Sequence, residues 1–348
     1  MSGGAVRPQV VVVGAGVIGI TAALELQRRG LRVRVVDREG VAAGASAGNA
    51  GAFAFSEIEP LATPGSLRKA PRWLLDPLGP LSIRPSYALR ILPWLARFLL
   101  ASRPAAYNRG IARQAALMQR SRLALERLVP AVDAEHLLRR QGQLRLYDNE
   151  LSFRSSLPGW RLARAHGVQV DLLDTAGALA DIQPGLSPRF RYGAFTPDWL
   201  NVVDPRQWVE HLAGCFIARG GRIETGDVRA VTPTEDGVRI QVGQDSVRAD
   251  HAVIAAGAWS NRLVRSIDGP VPLDTERGYN TTFEVHDFDL RTHLTFADHG
   301  FVVSRIGRGL RVGGAVEFGG LSLPPHPRRA EAMLARTREF LPGFNSQG

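Results

Sequence analysis

The first strong pattern in the chain is an apolar run that leads into closely spaced glycines. Residues 9–13 read QVVVV, a continuous apolar run typical of a buried parallel strand. Apolar positions at helical spacing continue to Gly30, and residues 31–37 then alternate before ending at Asp37. The pattern predicts a strand, a glycine turn, a helix and a second parallel strand, joined by a right-handed crossover.

The middle of the chain changes character twice. Residues 58–104 are rich in proline, which breaks long helices and favours departure from the first domain. Residues 105–138 return to a helical pattern, and residues 141–148 then read as a strand. A further helical pattern covers residues 151–167, and Pro158 is predicted to interrupt it.

The second half of the chain predicts another nucleotide-domain layout followed by sheet. A helix over 205–219 leads to a hairpin over 228–242, which turns at Asp236-Gly237. Residues 251–260, HAVIAAGAWS, read as a buried strand that ends in glycine, and residues 277–318 alternate like sheet. The last pattern is an amphipathic helix, whose apolar face comprises Ala330, Met333, Leu334, Thr337 and Leu341.

The composition is that of a globular protein with two domains. The chain has 348 residues, of which 45% are hydrophobic and 22% are charged. Basic residues number 43 against 33 acidic ones, which gives a net charge of +10, and every basic residue except Lys69 is arginine. The arginines are scattered, and neither a zinc-ligand spacing nor an aromatic RNP-like segment accompanies them, so no nucleic-acid partner is predicted. An anionic membrane surface and an anionic substrate such as a carboxylate suit this charge equally well.

A single cysteine, Cys215, rules out intramolecular disulfides and favours a reducing compartment. Its apolar helical setting is typical of a small core residue rather than a nucleophile. The apolar run at the amino terminus leads straight into glycines, so no signal peptide is predicted. No apolar stretch reaches the ~18 residues that span a bilayer. We therefore expect a cytoplasmic protein, with peripheral contact to the inner face of the cytoplasmic membrane as an option.

That option rests on the apolar segment 89–100. Arg90 and Arg97 lie seven residues apart on one helical face, with Trp94, Phe98 and several leucines around them. A basic amphipathic helix of this kind can lie in a membrane interface. The alternative is a helix packed into the protein.

The glycine turn after the first strand carries the strongest chemical signal. Gly14, Gly16 and Gly19 form a GxGxxG motif that follows a buried strand and opens a helix, the context that dinucleotide binding requires. Gly14 makes the tight turn, Gly16 lets the backbone approach a pyrophosphate, and Gly19 lets the helix lie close to the strand. The helix amino terminus then offers N–H groups and a partial positive charge to the phosphates. Asp37 would accept hydrogen bonds from the adenosine ribose; a purely structural glycine turn is the alternative.

The motif alone does not choose between FAD and NAD. Asp37 argues against a 2′-phosphate, although Arg38 beside it leaves NADP open. Two other segments of small residues permit close approach of a large planar ligand: residues 44–51, in which Ser46 and Asn49 can hydrogen-bond phosphate or ring edges, and residues 253–259. A flexible linker and an ordinary buried strand are the respective alternatives.

Together these segments resemble the D-amino-acid oxidase-like FAD oxidoreductases, and most closely the flavin-type bacterial D-amino-acid dehydrogenases. The resemblance covers nearly the whole chain, through GASAGNAGAF, PLATPGSLRKAPRWLLDPLGPLSIR, LPWLARFLLASRP, VDPRQW, VIAAGAWS and ERGYNTTF. It implies FAD as cofactor, with contacts from Gly14, Ala15, Gly16, Val17, Ile18, Gly19, Asp37, Arg38, Gly44, Ser46, Asn49, Ala50, Gly51, Val228, Ala256, Gly257 and Trp259.

The resemblance implies an α/β fold class in two parts. A Rossmann-type FAD-binding domain with a mostly parallel sheet is expected from residues 1–65 and 200–268. A second, α+β substrate or cap domain, built on an antiparallel sheet, is expected from residues 66–199 and 269–348. The sequence ends without the GxRP-like segment and the final glycine-rich strand and helix of the family. An impaired flavin-binding remnant is therefore an alternative to an active enzyme, and an NAD(P)-dependent dehydrogenase is a further one.

The implied reaction is oxidation of an amine or D-amino acid by hydride transfer to flavin, which gives an imine and then an oxo acid. Candidates for substrate contact are Arg277, Tyr279 and His299. Arg277 can pair with a carboxylate or act structurally, and Tyr279 can equally be core. His293, His299 and Asp298 match no recognised ligand spacing, so no metal site is predicted, and the lack of a G-x-S-x-G elbow sets hydrolase chemistry aside. The electron acceptor is expected to be a quinone or oxygen.

Overall fold

A computed structural model describes residues 9–64, 81–269 and 271–345. The chain divides into two compact units. Unit 1 comprises Met1–Asn49 and Asp204–Leu273, and unit 2 comprises Ala50–Val203 and Asp274–Gly348. The domain boundaries predicted from the sequence follow residues 65, 199 and 268. The first of them lies outside the described residues.

The elements are named here in chain order. The strands are β1 (Gln9–Val13), β2 (Arg32–Asp37), β3 (Ala52–Phe53), β4 (Leu81–Ile83), β5 (Leu138–Arg139), β6 (Gln143–Tyr147), β7 (Asp171–Leu173), β8 (Tyr192–Thr196), β9 (Leu200–Val202), β10 (Arg222–Thr225), β11 (Val228–Thr234), β12 (Gly237–Val242), β13 (Asp245–Ala249), β14 (His251–Ile254), β15 (Arg277–Phe283), β16 (His293–Phe296), β17 (Phe301–Ile306) and β18 (Gly309–Phe318). The α-helices are α1 (Val17–Arg28), α2 (Ala45–Gly48), α3 (Ala88–Ala101), α4 (Pro104–Ala131), α5 (Glu150–Ala165), α6 (Ala176–Ile182), α7 (Pro205–Ala218), α8 (Ser260–Asp268) and α9 (Arg328–Phe340).

Unit 1 is built on a parallel sheet with the strand order β10-β2-β1-β14. The central strand β1 pairs with β2 on one side and with β14 on the other, both in parallel. Its valines are almost fully buried, as the continuous apolar run predicts. Helices α1 and α7 are tied together by Gln27, whose side-chain amide donates to the backbone carbonyls of Phe216 and Arg219. The predicted strand, glycine turn, helix and strand are confirmed.

A smaller antiparallel sheet, β11-β12-β13, completes unit 1. The predicted hairpin forms, but its turn lies at Glu235-Asp236 rather than at Asp236-Gly237. Gly237 is already the first residue of β12, with φ of 144°. A Cβ there would lie 2.4 Å from the carbonyl oxygen of Ala249, so close pairing with β13 requires glycine at this place.

Unit 2 is built on an eight-stranded sheet with the order β15-β18-β17-β16-β6-β8-β7, in which β4 also pairs with β18. The pairs β16/β6 and β18/β4 are parallel and the others are antiparallel. Leu144, Leu294, Val303 and Val312 on this sheet share one hydrophobic core with Met333 and Phe340 of α9. Sequence analysis located the sheet in 277–318 but did not distinguish β16.

Two helices of unit 2 differ from prediction. Helix α5 continues through Pro158, so the predicted interruption was wrong. Phe153 and Trp160 are buried on either side of the proline, and the indole N–H of Trp160 donates to Tyr147 Oη at 2.8 Å, which holds both halves of the helix in place. Helix α9 buries Met333 and Thr337 as predicted, and in addition Arg329, which is 2% exposed. No helix in the described part of the chain is long and apolar enough to cross a membrane.

Candidate functional site

The glycine turn of unit 1 leaves no room for side chains. Gly14 has φ of 112°, and a Cβ on it would lie 2.3 Å from the carbonyl oxygen of Ala255. A Cβ on Gly19 would lie 1.9 Å from the carbonyl oxygen of Gly14. Both contacts are with backbone, which cannot rotate away as a side chain can. The turn therefore requires glycine at both positions, as the motif predicts.

A serine hydroxyl lies at the amino terminus of α1. The Val17 amide donates to Ser46 Oγ at 2.9 Å, and a Cβ on Gly16 would lie 2.9 Å from the same oxygen. The side chain of Ile18 is 69% exposed, so the first turn of the helix is accessible to solvent. First-turn amides have no partner within their own helix and, with the helix dipole, favour an anion. The neighbouring Asn49 amide donates to the carbonyls of Ala45 and Ser46 and thereby fixes α2.

Asp37 organises the loops around the glycine turn. Its Oδ2 accepts from the Ala15 amide at 2.8 Å, and its Oδ1 accepts from the amides of Glu39 and Gly40 at 2.8 and 3.0 Å. A carboxylate has about four acceptor sites, so three bonds leave capacity for a ligand hydroxyl. The sequence predicted the ribose contact but not this structural role.

The end of β14 completes the same edge of the sheet. The Ala255 amide donates to the Val13 carbonyl at 2.8 Å, which brings the small residues after β14 beside the glycine turn. Gly257 has φ of 52°, a conformation that favours glycine. The guanidinium of Arg38 lies 3.8 Å from the centre of the Trp259 ring, so the two predicted cofactor residues contact each other.

The residues of unit 1 fit the adenylate half of FAD. Because β1, β2 and β14 are parallel, their carboxyl ends meet at one edge, where ligands bind in open parallel sheets. The glycine turn, the open end of α1 and the carboxylate of Asp37 all lie there. Val228 begins the strand that follows Gly226, whose amide donates to the Asp37 carbonyl at 2.8 Å.

Two further predicted cofactor residues, Ala50 and Gly51, begin unit 2 and are held by hydrogen bonds from β9. Asn201 Nδ2 donates to the Ala50 carbonyl at 3.2 Å, and the Val202 amide donates to the Gly51 carbonyl at 2.7 Å. Gly51 has φ of 71°, and a Cβ on it would lie 3.1 Å from Val202 Cγ2. The segment is therefore fixed by backbone bonds as well as by its glycine.

Sequence analysis considered His293 only as a metal ligand and did not predict its burial beside Asn201. His293 is 5% exposed, and its Nδ1 lies 3.2 Å from Asn201 Nδ2. An amide nitrogen only donates, so Nδ1 accepts and the neutral ring carries its proton on Nε2. Burial, with the charge of Arg145 as a smaller cause, lowers the pKa of His293 from 6.5 to about 3. His293 is thus a neutral support for Asn201 and, through it, for Ala50.

The pH dependence of stability tests this state of His293. Since the pKa of the folded state is lowered, the unfolded chain takes up the proton first, and stability is lost as pH falls from about 6.5 towards about 3. We expect the wild type to lose about 1.4 kcal/mol more than His293→Gln between pH 7.5 and 5.5. Urea unfolding of both proteins at the two pH values measures the difference. Equal losses in the two proteins would show that the folded state takes up a proton at His293.

Arg277, a predicted substrate contact, is engaged within unit 2. Its Nη1 lies 3.3 Å from Glu317 Oε1, and its Nη2 donates to the Leu323 carbonyl at 2.6 Å. Glu317 is 1% exposed, and its other oxygen lies 3.8 Å from Arg84 Nη1. A carboxylate this deeply buried requires a cation, so these contacts favour a structural role for Arg277.

The other two substrate candidates are also in contact with protein groups. Tyr279 is 8% exposed, belongs to the core under α9, and its hydroxyl accepts from the His326 amide at 2.8 Å. His299 Nε2 lies 2.8 Å from Asp148 Oδ2, and its ring packs on Phe340. Substrate contact by Arg277, Tyr279 and His299 stays a prediction.

Comparisons with known proteins identify the family of the chain. The sequence model of the family described as FAD dependent oxidoreductase (DAO) matches residues 9–347. The D-amino-acid oxidase of Bradyrhizobium diazoefficiens is 34% identical over 93% of this chain and 77% of its own length. The D-amino acid dehydrogenase of Cereibacter sphaeroides is 32% identical over 96% of this chain and 78% of its own length. The crystal structure of glycine oxidase from Geobacillus kaustophilus superposes with a TM-score of 0.70 at 18% identity, covering 97% of this chain and 78% of that one.

Proposed function

The chain belongs to the DAO family of FAD-dependent oxidoreductases, and on this premise we propose that its substrate is a small amine or D-amino acid. Family membership also decides the choice of cofactor that the glycine motif leaves open, in favour of FAD over a nicotinamide dinucleotide. The observation that carries the assignment is the glycine turn of unit 1, where backbone occupies every position that a Cβ at Gly14 or Gly19 would need. The names of the relatives support the substrate class.

The residues of unit 1 would bind the cofactor by backbone and charge. The first-turn amides of α1 would bind the pyrophosphate, and the remaining acceptor capacity of Asp37 would bind a ribose hydroxyl. Ser46 would remain beside the pyrophosphate as the partner of the Val17 amide. When bound, FAD accepts a hydride from the substrate carbon that bears the amine. The chain's own contribution is to orient the two reactants, which needs no dedicated base if the amine binds as the neutral form.

The proposal also includes the electron acceptor that reoxidises the flavin. The net charge of +10 and the apolar helix α3 favour a quinone reached at the inner face of the membrane over oxygen. Oxygen consumption measured beside reduction of a soluble quinone analogue tests the choice. Turnover with oxygen at a rate equal to that with the quinone would contradict it.

A spectrum and a substrate panel test the function. Purified protein is expected to be yellow, to carry FAD rather than FMN after extraction, and to reduce a dye when given D-amino acids or small amines. The L-enantiomers serve as matched substrates. Protein that lacks flavin and cannot be reconstituted with FAD would contradict the assignment. Flavin-containing protein that reduces dye only with L-amino acids would contradict the substrate class.

A further inference from the structure

The peptide unit between Ala50 and Gly51 is held from one side by β9. The side chain of Asn201 donates to the Ala50 carbonyl at 3.2 Å, and the backbone amide of Val202 donates to the Gly51 carbonyl at 2.7 Å. Asn201 also pairs with Ala52 in the antiparallel ladder of β3 and β9. Two successive carbonyls are thus anchored on the same strand, one by a side chain and one by the backbone.

The anchor at Ala50 matters because a glycine follows it. Gly51 has φ of 71°, and glycine permits more backbone conformations than any other residue. In a trans peptide the carbonyl and the N–H point in opposite directions, so the bond from Asn201 to the Ala50 carbonyl also sets the direction of the Gly51 N–H. A residue without a side chain contacts a cofactor only through its backbone. The orientation of this peptide unit therefore decides what a ligand at Gly51 would meet.

The Asn201 amide is itself held in one orientation by a histidine. Its two N–H groups serve two acceptors, the Ala50 carbonyl and Nδ1 of His293, each of which lies 3.2 Å from Nδ2. A neutral imidazole with its proton on Nε2 supplies that acceptor, whereas a protonated ring would present an N–H to the amide. Asn201 and His293 are 7% and 5% exposed, so bulk water has little access to either contact.

The eight-stranded sheet determines where this histidine lies. His293 begins β16, which pairs in parallel with β6, and its backbone N–H donates to the Gly142 carbonyl at 3.3 Å. The centre of the Trp199 ring lies 5.4 Å from the centre of the imidazole. Side chains on strands hold their geometry more precisely than side chains on loops. A chain of contacts thus runs from the sheet through His293 and Asn201 to the Ala50 carbonyl.

We propose that Asn201 and His293 are positioning residues for the flavin, which act by fixing the orientation of the Ala50–Gly51 peptide unit. The inference rests on the proposed function, since it takes FAD to be the ligand that this segment contacts. Neither side chain would touch the cofactor itself. Removing the amide or its histidine acceptor would let the peptide unit rotate, and the bound flavin would then meet a different backbone surface. A purely structural role would lower stability without changing the flavin.

Three variants test this chain of contacts. Asn201→Asp keeps the size of the side chain but replaces its donor with a carboxylate that repels the Ala50 carbonyl. His293→Leu removes the acceptor, and His293→Gln retains one. We expect FAD to bind about tenfold more weakly to the first two variants than to the wild type, and within about twofold of the wild type to His293→Gln. Titration of the apoprotein with FAD gives the affinities. The visible spectrum and the midpoint potential of the bound flavin are expected to change only in the first two variants.

Gln183 provides the matched control. It is fully buried in unit 2, and its side-chain amide donates to the carbonyls of Pro184 and Asp289 at 2.7 and 2.8 Å. Gln183→Leu breaks bonds of the same kind at residues for which no cofactor contact is predicted. We expect it to lower the free energy of unfolding, while the affinity for FAD and the spectrum and potential of the flavin stay like those of the wild type. Urea unfolding without FAD shows whether each variant is folded, and Asn201→Ala replaces Asn201→Asp if the aspartate variant is not.

Wild-type affinity, spectrum and potential in His293→Leu and in the Asn201 variant would overturn the proposal. An equal loss in Gln183→Leu would also overturn it, because any buried amide would then have the same effect. Equal values in His293→Gln and His293→Leu would exclude the acceptor role of the histidine. Wild-type protein that binds no FAD would contradict the proposed function and this inference together. Yellow, active protein whose flavin does not respond to these variants would contradict this inference alone.

Discussion

Gly19→Ala is expected to abolish FAD binding and to lower the free energy of unfolding by at least about 3 kcal/mol. The added Cβ would lie 1.9 Å from the Gly14 carbonyl oxygen and 2.9 Å from its carbon, both in the backbone of the turn. Relief requires α1 to move away from β1, which displaces the amides that would bind the pyrophosphate. Flavin content after purification, titration with FAD and urea unfolding measure the effect.

The same unit offers a matched control. Gly214 lies in α7, is exposed, and has nothing within 4 Å of an added Cβ. Gly214→Ala should retain FAD and gain about 0.5–1 kcal/mol, because alanine loses less conformational entropy in a helix than glycine. Full FAD occupancy in Gly19→Ala, with stability like that of the wild type, would show that the turn does not hold the cofactor.

Arg277→Met is expected to destabilise the protein by about 3–5 kcal/mol, because it leaves the buried carboxylate of Glu317 with only the more distant Arg84. It also removes the bond to the Leu323 carbonyl. The double variant Arg277→Met with Glu317→Leu should recover part of the loss, since no uncompensated charge then remains. Urea unfolding of the two single variants and the double variant gives the coupling.

A substrate role for Arg277 predicts a different outcome. If its guanidinium bound the substrate carboxylate, Arg277→Met would raise KM strongly, and adding Glu317→Leu would restore nothing. At a temperature where both variants are folded, we expect KM for the preferred substrate within about threefold of the wild type. A large rise in KM with unchanged stability would restore Arg277 to the substrate site.

Local patterns allowed the strand, glycine turn, helix and second strand of unit 1 to be predicted. The valines of β1, the glycines after it and Asp37 lie close together in sequence, and each constrains the next. For the carboxylate of Asp37, sequence analysis predicted only hydrogen bonds to a ribose. Its bonds to the amides of Ala15, Glu39 and Gly40 depend on turn geometry that residue types alone do not specify.

Other features depend on contacts that sequence spacing cannot express. Glu317 lies 40 residues from Arg277, and Asn201 lies 92 residues from His293, so neither pair leaves a local signal. Helix α3 has apolar residues on more than one face, so periodicity could not decide whether Trp94 or the leucines at 89, 92, 99 and 100 face the protein. Pro158 was predicted to interrupt α5 because residue spacing does not reveal the packing of Phe153 on Tyr147 of β6 and on Tyr192 of β8.

The pairing of β1 with β14 has a consequence for how the protein is made. Val10 pairs with His251, so a ribosome must add 241 further residues before the first strand finds that neighbour. At 5–20 residues per second this takes roughly 10 to 50 s. During that time one edge of β1 has no paired strand. Such an edge is a template for wrong association between nascent chains. Slower translation or a lack of chaperones should therefore reduce the yield of native protein more than it changes the activity of the molecules that do mature.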